Sequence, residues 1–144
     1  MLETMKALAK RKDSCVLATV SENTPHCSLM AYVTDDECRE IYMVTSRNST
    51  KFRNLSANPS VSLLIDTREE HTGRKRPDAQ ALTISGVYQE ISDKTKKTVI
   101  RDRLLERHPH IRELIEMPDA EIFCVKVMSF LLLDGVSEAH FETP

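Results

Sequence analysis

Glycine is scarce in this chain: only Gly73, Gly86 and Gly135 occur in 144 residues, and tryptophan is absent. Without glycine-dense turns, neither a GxGxxG dinucleotide fingerprint nor a GxxxxGK[ST] phosphate loop is available, so any phosphate must be gripped by another device. No apolar run reaches the ~18 residues of a membrane span. The opening "MLETMKALAKRKDS" lacks the apolar middle of a signal peptide and reads as a short amphipathic helix. The four cysteines, Cys15, Cys27, Cys38 and Cys124, form no CxxC pair. Three of them lie in apolar strand-like runs, where a reduced thiol packs as a small hydrophobe. These signs predict a cytoplasmic protein with free thiols. A formal charge of −2 gives no global attraction to nucleic acid or anionic membrane. Neither is expected as a partner, and an anion site would have to be local.

What the sequence does contain is a succession of strands. "SCVLATVS" (14–21) and "PHCSLMAYVT" (25–34) flank the turn-forming Glu22-Asn23-Thr24 and predict a hairpin. "REIYMVTS" (39–46) adds a third strand. "STKFRNLSAN" (49–58) predicts a short helix with Phe52 and Leu55 on one stripe, ended by Asn58-Pro59. "SVSLLIDT" (60–67) and "QALTISGVYQEI" (80–91) are further strands, the second with a bulge expected at Gly86. The "REEHTGRKRPD" segment between them (68–78) reads as a solvated loop or an extended hairpin tip. Ser92-Asp93 caps a helix through about His108, Pro109 opens another turn, and "EIFCVKVMSFLLLDGV" (121–136) is the last strand. About six strands joined by short polar turns, with helices at the side, predict one mainly β domain over residues 1–144, antiparallel and built as a small barrel or sandwich.

One stretch stands out against this frame. In "TSRNSTKFRNL" (45–55), Arg47, Lys51 and Arg53 surround a helix start capped by Ser49, and no acid occurs between Ile41 and Ile65. Cations are unfavourable beside the free N–H groups of a first helical turn. A bound anion resolves the conflict, accepting hydrogen bonds from those N–H groups and from the Ser49 and Thr50 hydroxyls beside Lys51. On spacing alone, a solvated helix face with capping hydroxyls explains the same residues.

The stretch "IYMVTSRNSTKFRNLSANPSVSLLI", with the upstream "PHCSLMAY" and downstream "ALTISGVYQEI" strands, resembles the pyridoxamine 5′-phosphate oxidase-like FMN-binding split-barrel superfamily. The resemblance covers residues 14–92. It implies a six-stranded antiparallel split barrel of Greek-key type that dimerises, with FMN in clefts at the interface. The family's phosphate grip corresponds to Ser49, Thr50 and Lys51, and its strand-end threonine to Thr45 between Val44 and Ser46. The strand from Ser28 through Leu29 and Met30 to Val33 takes the place of the one that runs along the flavin ring, and Gln80 sits near a position that reaches the flavin from a neighbouring strand.

The chain also departs from that pattern. Ser28 and Val33 stand where the authentic oxidase has an Arg for the FMN phosphate and a Lys near the substrate. The family's substrate-gripping Tyr and Arg have no counterpart in "SDKTKKTVIRDRL", and its C-terminal Arg-x-His segment is missing. Oxidation of pyridoxine 5′-phosphate is therefore not expected.

The remaining clusters read as structural. His108-Pro109-His110 has no Cys, Asp or Glu at ligand spacing, so helix-end polar residues are expected and no metal is. His140 is read as an exposed terminal histidine, and Arg74-Lys75-Arg76, flanked by acids, as part of the solvated loop. The functional expectation is an FMN-dependent oxidoreductase acting on a small molecule, with a nicotinamide donor possible and no catalytic side chain assigned. A non-catalytic electron carrier, or a split-barrel relative that binds haem or a deazaflavin, is the alternative.

Overall fold

Period-two alternation builds the sheet. In β1 (Ser14–Ser21), Cys15, Leu17 and Thr19 point inward while Val16, Ala18 and Val20 point outward. The turn to β2 (Thr24–Ala31) places Glu22 at φ 50° and Asn23 at φ 62°, the twist that a two-residue hairpin needs. The computed structural model describes all residues, Met1–Pro144. It continues through β3 (Val33–Thr34), β4 (Glu40–Ser46), β5 (Ser60–Asp66), β6 (Gln80–Glu90), β7 (Ala120–Asp134) and β8 (Glu138–Glu142). All pairings are antiparallel, in the order β2-β1-β5-β6-β7-β4-β3, with β8 added to β7. The two ends of that path, β2 and β3, are consecutive pieces of one extended segment, so the sheet curls into a half-barrel.

Eight strands replace the six expected, for two reasons. The 25–34 segment breaks at Tyr32, and the residues after Asp134-Gly135, with Gly135 at φ 70°, turn back as β8.

Four helices surround the sheet: α1 (Leu2–Arg11), α2 (Thr50–Ala57), α3 (Lys94–Arg107) and α4 (Arg112–Ile115). None is long and apolar enough to cross a membrane. One core fills the curl of the sheet, including Leu17, Met43, Leu63, Ile84, Phe123 and Phe130. A second lies between the outer face of β4 and β7, through Tyr42, Val44, Ile122 and Cys124, and the stripe Ile100, Leu104, Ile111 and Ile115 of α3, the short turn after it and α4. Because both faces of β4 are covered, "IYMVT" is a continuous buried run. Glu40 ties α3 down, accepting hydrogen bonds from Lys96 (3.0 Å), Tyr42 (2.9 Å) and the Cys124 thiol (3.2 Å). All four cysteines are free, and three are buried. Burial pushes the Cys15 thiol up to about 12, which leaves it inert at neutral pH.

The bulge expected at Gly86 is a register shift between Ser85 and Gly86 against β7. A Cβ there would lie 2.5 Å from Val125 Cγ1 and 2.8 Å from the Lys126 carbonyl oxygen. Gly86→Ala is therefore expected to cost about 1–3 kcal/mol through overpacking. A thermal melt should show Tm falling by several degrees, and an unchanged Tm would mean that β7 gives way freely.

Candidate functional site

Tyr32 creates the opening in the barrel wall. Its N–H donates to the Asp13 carbonyl (3.2 Å), its hydroxyl donates to the Ala9 carbonyl (2.6 Å), and its own carbonyl accepts from His108 Nε2 (2.9 Å). The first of these continues the β1–β2 register by one pair, the other two tie Tyr32 to α1 and the end of α3, and from here β2 and β4 part. Along β4, β7 covers one edge throughout, whereas β3 covers the other only at Ile41 and Tyr42. Strand β2 has β1 on one edge and no strand on the other. The two uncovered edges, Val44–Ser46 and Leu29–Ala31, border a cavity of about 420 Å³. That lies in the range of small-molecule sites, ~300–1,000 Å³.

Helix α2 closes one end of this cavity with Ser49 and Lys51. Ser49 caps the helix: its Oγ accepts from Phe52 N–H (3.2 Å), donates to the Ser46 carbonyl (2.8 Å) and sits 3.1 Å from the buried Thr45 hydroxyl. The Ser49 hydroxyl is thus engaged in the cap. The backbone N–H groups of Thr50 and Lys51 donate to nothing in the protein. An anion could accept from both.

The three bases of this stretch have separate fates. Arg47 donates to the Pro118 carbonyl (2.8 Å) and pairs with Glu121 (3.3 Å). Arg53 folds back onto the Asn48 carbonyl and the Thr50 hydroxyl. Lys51 has no hydrogen-bond or ion-pair partner and faces the cavity. The local acid-free run does not survive folding: the β4–β7 register sets Thr45 opposite Glu121 and Ser46 opposite Ala120, so Asp119 arrives to accept hydrogen bonds from Ser46 and Asn48. The Ser46 hydrogen bond holds the Asp119 carboxyl below the usual carboxylate range.

Of the residues expected from sequence, Leu29, Met30, Val44, Thr45, Ser46, Ser49 and Lys51 line one cavity. Four do not. Ser28 pairs opposite Leu17, on the inward face. Val33 is 2% exposed in the second core and borders a separate recess with Arg103 and Arg107. Thr50 accepts from Arg53 outside the cavity lining, and Gln80 begins β6, opposite Asp134.

The sequence reading missed the far wall, formed by His108, His110, Ile111 and Leu114. His108 does end α3, as expected, but it is 3% exposed and forms part of the cavity wall. A signal for it was present. Ile100, Leu104, His108, Ile111 and Ile115 recur at helical spacing, so the histidine continues the buried stripe. His140 lies in β8 opposite Leu132, with Glu138 3.6 Å away, outside the cavity lining. No group of three or more metal-ligating side chains gathers anywhere in the chain.

Residues 1–133 match the family model described as pyridoxamine 5′-phosphate oxidase. No curated protein matches the chain significantly. Among solved structures, a haem-binding protein from Mycobacterium smegmatis is 18% identical with a TM-score of 0.86, covering 99% of this chain and 57% of its own. This chain therefore spans little more than half of that relative. An FAD-binding protein from Mesorhizobium loti is 19% identical with a TM-score of 0.75, over 92% of this chain and 91% of its own. The haem storage protein HutZ from Vibrio cholerae is 20% identical with a TM-score of 0.74, over 92% of this chain and 93% of its own. At these identities the likeness is one of fold.

Proposed function

Because the chain belongs to the pyridoxamine 5′-phosphate oxidase family, we propose that the cavity binds FMN and that the protein is a homodimeric flavin oxidoreductase acting on a small molecule. The observation that carries this reading is Lys51: one unpaired ammonium beside two free first-turn N–H groups, at the end of a cavity whose other walls are strand edges, apolar side chains, Asp13 and the two histidines. That donor set suits a phosphate monoester, and the uncovered backbone of β2 and β4 suits the polar rim of a flavin ring. When bound, FMN supplies two-electron redox chemistry by accepting hydride; the protein contributes position, electrostatics and exclusion of water. Competitive titration tests the reading. FMN should bind clearly more tightly than riboflavin, which lacks the phosphate, and equal affinities would remove the proposed grip.

The dimer rests on the outward face of the sheet. Pairing register aligns Leu29, Val16, Leu64, Thr83, Leu131 and Phe141 in one row across six strands. Leu29 is 79% and Phe141 65% exposed, with Met128 and Leu133 nearby also open. An apolar row of this length is the kind of face that a second copy covers, and it reaches the cavity at Leu29. Sedimentation at micromolar concentration should show a dimer, and Leu131→Glu combined with Phe141→Glu should give folded monomers. A dimer that persists in the double variant would place the interface elsewhere.

Haem is the second reading, favoured by the imidazoles of His108 and His110 in the cavity wall and by the haem proteins among the similar structures. Against it, His108 Nε2 is already engaged by the Tyr32 carbonyl. A non-catalytic carrier or a deazaflavin protein differs from the proposed enzyme in failing to turn over FMN with a nicotinamide donor.

A further inference from the structure

The far wall holds a group whose chemistry the phosphate grip leaves unused. His108 is 3% exposed, yet it lines the cavity. Its Nε2 lies 2.9 Å from the Tyr32 carbonyl oxygen. A carbonyl can only accept, so Nε2 carries the proton and Nδ1 of the neutral ring is left as an acceptor. No protein group bonds to that Nδ1. It is not sealed off either, since the one buried side-chain polar atom without a partner is His140 Nε2. The ring is held firmly. Tyr32 is itself fixed by the Ala9 and Asp13 carbonyls, and His110 packs edge-on against His108 with ring centroids 5.7 Å apart. On a ring this buried, an unbonded nitrogen that is not sealed off is open to a partner from outside the protein, and the cavity is the space that His108 borders.

We propose that His108 Nδ1 accepts a hydrogen bond from an N–H or O–H of the bound ligand, which makes the junction of α3 and α4 a second recognition element, distinct from the phosphate grip at Lys51. This rests on reading the cavity as a flavin site, where the donor is the imide N–H of the ring or a ribityl hydroxyl. Tyr32 thereby has two roles, parting β2 from β4 and fixing the tautomer that reads the occupant.

His108→Gln separates the two bonds of the imidazole. A glutamine amide reaches the Nε2 position and can still donate to the Tyr32 carbonyl, but it has no acceptor where Nδ1 stood. The variant should keep its Tm and bind FMN about tenfold more weakly, the effect of one neutral hydrogen bond. In ¹⁵N-labelled wild-type protein, FMN should shift the His108 Nδ1 resonance and leave Nε2 in place; that measurement stands even if the variant does not fold. FMN binding by His108→Gln at wild-type strength, or an Nδ1 resonance that FMN does not move, would show a water contact only and overturn the inference while leaving the cofactor reading intact. Wild-type protein that takes up no flavin would overturn both.

Discussion

Lys51→Glu should lower FMN affinity by about a hundredfold and erase the preference for FMN over riboflavin. A hydrogen bond to a charged group contributes about 1.5–3 kcal/mol. The substitution removes one and sets a carboxylate against a phosphate carrying about −1.5 to −2 charges, so a loss near 3 kcal/mol follows. Riboflavin has nothing for Lys51 to hold, and its affinity should barely change. The fold should tolerate the exchange, because Lys51 has no protein partner to lose and an acid in the first turn of α2 favours the helix dipole. Fluorescence titration of the variant with both flavins separates the cases. Parallel losses for FMN and riboflavin would indicate a general disturbance of the cavity, and an unchanged FMN affinity would remove Lys51 from the site.

Oxidation of pyridoxine or pyridoxamine 5′-phosphate should be slower by roughly a thousandfold or more in kcat/KM than in an authentic oxidase, even with FMN saturating. A substrate phosphate beside the flavin needs its own cations, and losing two or three charged hydrogen bonds removes several kcal/mol from transition-state binding. The structure supplies no spare cation. Arg103 donates to the Thr34 carbonyl, Arg107 donates to the carbonyls of Lys10, Arg11 and Lys12, and Arg101 borders a different recess. Lys51 is the one Lys or Arg lining the cavity, and the cofactor phosphate occupies it in this account. Pyridoxal phosphate formation under air is the assay; turnover within about tenfold of an authentic oxidase would mean that another cation reaches the substrate.

The contrast between the two ends of the cavity shows what a sequence carries. The hairpin, the Gly86 bulge and the Ser49 cap were legible because each is specified by neighbours a few residues apart: alternation, a residue without Cβ, a hydroxyl before a helix. The break at Tyr32 was not, since it depends on bonds to Ala9, Asp13 and His108, which only folding brings together. Long range also hid the acids. Arg47 seemed free because Glu121, its partner, is contributed by a strand far along the chain. Strand β8 was legible in principle, because Asp134-Gly135 is a hairpin signal, but its short and half-exposed sequence has little alternation to confirm it. His108 fell between these cases. The helical spacing from Ile100 to Ile115 marked it as buried, while the neighbouring His110 and the proline drew the reading toward a polar helix end.

The visible spectrum of the freshly purified protein, followed by identification of whatever denaturation releases, tests the central claim most directly. The account predicts an oxidised-flavin spectrum, intrinsic or acquired on adding FMN, with FMN recovered from the denatured protein in up to one equivalent per chain. A Soret band with iron-bound haem, and no uptake of FMN from solution, would contradict it.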